Sequence, residues 1–78
     1  MKSAKEMFEK LGYKLDKETR FGATVSYTKY CNDGCCRLYD LCFYNNKRVE
    51  FQEDYISYEL LQAINKQVEE LGWLDVKN

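Results

Sequence analysis

Four cysteines, at positions 31, 35, 36 and 42, are the side chains of this 78-residue chain best suited to chemistry, and the chain contains no histidine. Cys31 and Cys35 have a spacing found in zinc sites, where thiolates and imidazoles surround one ion. Cys36 and Cys42 lie on one strand about 20 Å apart, at about 3.3 Å per residue, so one ion cannot take both. The metal candidates are therefore Cys31, Cys35 and Cys36, with no histidine to complete the set. Ordinary reduced thiols are the expected state. A Cys31–Cys35 disulfide across a hairpin is the next reading, and a reducing cytosol opposes it. Nucleophilic use is weaker still, because no histidine can activate a thiol and Arg37 is the one basic neighbour in sequence.

The other polar groups make no better case for catalysis. Glu53-Asp54 and Glu69-Glu70 are adjacent pairs, and adjacent side chains on a strand or helix diverge instead of converging on a substrate. The four glycines form no phosphate-binding loop; Gly12 and Gly72 read as helix stops and Gly34 as a turn. The expectation is a non-enzymatic protein with no cofactor.

The elements that must position these residues are well punctuated. Ser3 and Glu6 form a capping box that starts a helix with Ala4, Met7, Phe8 and Leu11 on its apolar face. Gly12 ends it in a left-handed conformation, and Tyr13 falls where it packs back on Phe8. Ser57 caps a last helix, about Tyr58 to Leu71, with Ile56 placed to staple onto Leu61. Leu60, Leu61, Ile64, Val68 and Leu71 recur at helical spacing, and Gly72 and Trp73 close it.

Between the helices the apolar period changes to two. Asn32-Asp33-Gly34 reads as a three-residue hairpin loop with Gly34 left-handed. With Cys31 facing Cys35, Tyr27 lies opposite Tyr39, Val25 opposite Leu41 and Ala23 opposite Phe43. A second three-residue loop, Asn45-Asn46-Lys47, sets Phe43 against Val49 and Leu41 against Phe51; a two-residue loop would break the apolar face. The expected fold is α+β: helix, antiparallel meander sheet, helix, with both helices on one sheet face. The sheet has three strands, or four if Tyr13 and Leu15 mark another.

That register leaves an outer face of Thr24, Ser26, Thr28, Tyr30, Cys36, Leu38, Asp40, Cys42, Tyr44, Arg48, Glu50 and Gln52. Its central strand carries more apolar and aromatic surface than a free face needs, which suits a protein partner or a homodimer contact. The expected partner-binding set is Tyr30, Asn32, Asp33, Arg37, Leu38, Asp40, Tyr44 and Arg48. Seven tyrosines suggest base stacking, but Lys and Arg alternate with Asp and Glu, so no basic groove forms and nucleic acid is disfavoured. A net charge of −1 agrees.

A single domain fits the length. No apolar run is long enough for a bilayer, and residues 1–6 lack the apolar stretch of a signal peptide, so no membrane association and a cytoplasmic location are expected. The segments KSAKEMFEKLGY (2–13) and ISYELLQAINKQVEELGW (56–73) resemble the ends of small uncharacterised proteins from phages and prophages of Gram-positive bacteria. That resemblance implies a phage accessory protein in the bacterial host cytoplasm that binds and modulates a host protein, including as an inhibitor of a defence system. The cysteine-rich middle departs from that pattern. A protein that sequesters a nucleotide-like signal is the alternative from another class, and a zinc-stabilised binding module a third.

Overall fold

A computed structural model describes residues 2–19 and 21–73. The element order is α1 (Ala4–Lys10), β1 (Tyr13–Leu15), β2 (Val25–Tyr30), β3 (Arg37–Tyr44), β4 (Arg48–Phe51) and α2 (Tyr58–Glu70). The strands form one antiparallel sheet in the order β1-β2-β3-β4, so the short segment after Gly12 is a true fourth strand. It pairs Tyr13 with Lys29 and Leu15 with Tyr27. Among the described residues no helix is long and apolar enough to cross a membrane.

Both helices end as their sequences dictate. The Ser3 hydroxyl accepts from the Glu6 N–H at 3.2 Å, and the Glu6 carboxylate accepts from the Ser3 N–H at 3.0 Å. Ser57 accepts from the Leu60 N–H at 3.0 Å. At the other end of α2, Gly72 at φ +77 lets its N–H reach the Glu69 carbonyl and the Trp73 N–H reach the Val68 carbonyl. A hydrogen bond also ties the helices together: the Ala4 N–H, unpaired within α1, donates to the Glu70 carboxylate at 2.8 Å.

The core lies between the helices and one sheet face. Ala4 and Phe8 of α1, Tyr13, Tyr27, Leu41 and Phe43 of the sheet, and Leu60, Ala63 and Ile64 of α2 form one buried cluster. Phe8 is its centre, with its ring centroid 4.2 Å from that of Tyr27, 5.9 Å from Tyr13 and 6.2 Å from Phe43. Tyr27 keeps its hydroxyl satisfied by donating to Gln67 at 2.6 Å. Leu61, expected on the apolar stripe, is instead 43% exposed, as is Ile56 at 39%, so no buried staple forms; Ala63 and Gln67 take the inward positions.

The second hairpin has the expected register, Phe43 with Val49 and Leu41 with Phe51. The first does not. Val25 pairs with Phe43, Tyr27 with Leu41 and Lys29 with Tyr39. The loop holds one more residue than expected, since the Cys31 N–H donates to the Cys36 carbonyl. By itself a four-residue loop would turn Asp40 and Cys42 into the core and Leu41 and Phe43 out of it. An irregularity between Lys29 and Tyr30 prevents this: Tyr30 pairs with Arg37 and Lys29 with Tyr39, leaving Leu38 as the extra residue of a β-bulge. Loop and bulge together shift the register by two, so Tyr39, Leu41 and Phe43 keep their expected face, while Arg37, now opposite Tyr30, joins the outer face.

Candidate functional site

The extra loop residue decides what the hairpin tip can do. Asn32 and Asp33 span a turn closed by the Gly34 N–H donating to the Cys31 carbonyl at 2.8 Å, with Gly34 at φ +77. Cys35 leaves the strand and joins the loop. The Sγ atoms of Cys31, Cys35 and Cys36 then lie within 4.8 Å of one another, with Cys31 3.7 Å from Cys35 and Cys35 3.5 Å from Cys36. Backbone N–H groups of Cys36 and Cys35 lead in drawing the Cys31 thiol down to about 6, helped by the Cys35 side chain and the Asp33 N–H. The thiol of Cys36 shifts the opposite way, since hydrogen bonding with Cys35 and Cys31 favours its protonated form. Cys42, buried at mid-strand, is pushed up by desolvation and stands outside the cluster.

The outer sheet face is not the open aromatic surface that its pattern suggested. Ser26 and Thr28 are fully buried, Cys42 is 3% exposed and Asp40 8%. Asp16, just beyond β1, accepts from the Ser26 hydroxyl at 2.7 Å and from Thr28 at 2.9 Å. The Thr28 hydroxyl also lies 3.3 Å from Asp40. Arg37 pairs with Asp40 at 3.0 Å, and the Asp40 N–H donates to the Gln52 side chain at 2.9 Å. Two carboxylates and two hydroxyls thus meet at the centre of the face, and Asp40 is engaged in this network with little surface left to solvent.

The expected binding residues separate accordingly. Asn32, Asp33, Arg37 and Leu38 are exposed at or beside the tip, and Tyr30 stands half-buried below it with Lys14 5.8 Å over its ring. Tyr44 and Arg48 occupy the opposite end of β3, where Arg48 lies 4.7 Å from the Tyr44 ring and pairs with Glu50 at 3.0 Å. At about 3.3 Å per residue they are over 20 Å from Arg37, so the eight residues do not make one surface.

Beside the tip runs an open groove of about 860 Å³, lined by residues 14–19 together with Phe21, Tyr30 and Gly34. Phe21 was missed in the sequence, and its backbone lies at φ +56, a conformation that bulky residues rarely adopt. Its ring is 69% exposed. The adjacent Gly22 was the one available hint that the chain turns left-handed here. A second exposed apolar set, Tyr55, Ile56, Tyr58 and Leu61, lies before and within the first turn of α2. The fold and site define a two-helix, four-strand α+β domain with a thiol-rich hairpin tip. Comparison with protein-family models, curated proteins and solved structures found no match to this chain.

Proposed function

We propose that this is a non-enzymatic binding protein that engages a protein partner through the hairpin tip and the groove beside it. The observation that carries the reading is Phe21: an aromatic ring in solvent on left-handed backbone, at the wall of a groove that ends at the tip. Holding a non-glycine residue there costs about 1–2 kcal/mol, and strain of this kind clusters at ligand clamps and switch regions. Leu38 adds a second anchor, pushed 48% into solvent by the bulge. Aromatic and aliphatic side chains of this kind, rimmed by Lys14, Lys17 and Glu18, form the usual centre and edge of a protein contact. An open groove also suits a protein segment better than a small ligand, which is held in an enclosed pocket. The helices' resemblance to small phage proteins directs the search to a host-cell partner, including components of defence systems.

The test is capture from host lysate by the intact protein and by three variants checked for fold by circular dichroism. Phe21→Ser and Leu38→Ser are expected to lose the captured protein while Tyr58→Ser retains it. Loss with Tyr58→Ser alone would move the contact to α2 and defeat the proposal.

A further inference from the structure

A tetrahedral zinc-class ion lies about 2.3 Å from each thiolate sulfur, which puts the sulfurs about 3.8 Å apart. The tip already provides nearly that spacing, at 3.7 Å between Cys31 and Cys35 and 3.5 Å between Cys35 and Cys36. The third pair, Cys31 and Cys36, also lies within 4.8 Å, so all three sulfurs face one common point. None of the three thiols is fully buried in the core: Cys35 and Cys36 are exposed and Cys31 is half-buried.

We propose that Cys31, Cys35 and Cys36 bind one zinc-class divalent ion through three thiolates, leaving a fourth position open to solvent. Sulfur ligands select a soft or borderline ion over magnesium or calcium, which require oxygen. Among the described residues no carboxylate joins the group, and the chain has no histidine, so water takes the remaining place. Binding is a ligand exchange in which the thiols that are protonated release their protons to solvent and no electron is transferred. The site shares the hairpin tip with the partner reading but is tested independently of it, since it uses neither Phe21 nor Leu38.

The test uses the full chain, reduced and stripped of metal, titrated with cobalt(II) and then with zinc. One equivalent of cobalt is expected to give tetrahedral absorption with sulfur-to-metal charge transfer, and zinc should displace it. Cys31→Ser, Cys35→Ser and Cys36→Ser should each weaken binding at least about tenfold, as loss of even an outer-shell group does. Cys42→Ser should bind as the parent does. Because the tip cysteines lie outside the core, circular dichroism should show all three serine variants folded. An octahedral cobalt spectrum, no stoichiometric uptake by fully reduced protein, or equal loss in Cys42→Ser would each overturn the proposal.

Discussion

Lys47 holds φ +66 in the loop between β3 and β4, where a glycine would sit without steric cost. Lys47→Gly should raise stability by about 1 kcal/mol, read as a higher urea midpoint with unchanged slope. Tyr27 offers a test by pH. Desolvation comes first, with the charges of Glu70 and Glu9 adding, in pushing its phenol up to about 12 from the ordinary 10. The stability tied to this group is complete below pH 10, where the phenol is neutral in folded and unfolded chains alike. It is lost between pH 10 and 12, where only the unfolded chain ionises. Tyr27→Phe should therefore be less stable than the parent at pH 7, having lost its bond to Gln67, and lose less on going from pH 10 to 12. Thermal melts across that range check both signs. Residue roles set by near neighbours in sequence were legible: Ser3 with Glu6, Gly12, Ser57 and Gly72 each carry a local capping signal. Asp16 was not, because its partners Ser26 and Thr28 lie 10 and 12 residues away and no periodicity marks a half-buried carboxylate.

At the scale of elements, both helices, the second hairpin and the apolar sheet face followed from periodicity and turn chemistry. The first hairpin shows where that reasoning stops. Pattern alone fixed which face residues 39–44 occupy but not the pairing, because a longer loop and a bulge can shift register by two and keep those faces. Deleting Leu38 should remove the bulge, leave Leu41 and Phe43 in the core, and lower stability by no more than about 1 kcal/mol, measured by chemical denaturation. The same deletion should abolish the proposed partner contact, so stability and binding separate in one variant. Capping has its own scale: Ser57→Ala should cost about 1 kcal/mol by removing the acceptor of the Leu60 N–H.

For the whole molecule, stability of about 0.05–0.15 kcal/mol per residue leaves little reserve against loss of the central ring. Phe8→Ala should cost about 3–5 kcal/mol, a large share of the total, read as a much lower urea midpoint. The two sheet faces divide the labour: one is packed against the helices, and the other is filled at its centre by Asp16, Ser26, Thr28 and Asp40. One end stays open, with the tip and the groove lined by Phe21 and Tyr30, as does the apolar set Tyr55, Ile56, Tyr58 and Leu61 at the start of α2. Sequence reasoning spread the binding residues along the whole outer face because alternation tells inward from outward and not covered from uncovered. Under the proposed function, partner binding is confined to the tip and its groove. Amide hydrogen exchange of the captured complex against the free protein tests it most directly. Slowed exchange in residues 14–22 and 30–38, with Tyr44 to Arg48 and the first turn of α2 unchanged, is the predicted result. Protection centred on Tyr55 to Leu61, with the tip exchanging as in the free protein, would contradict it.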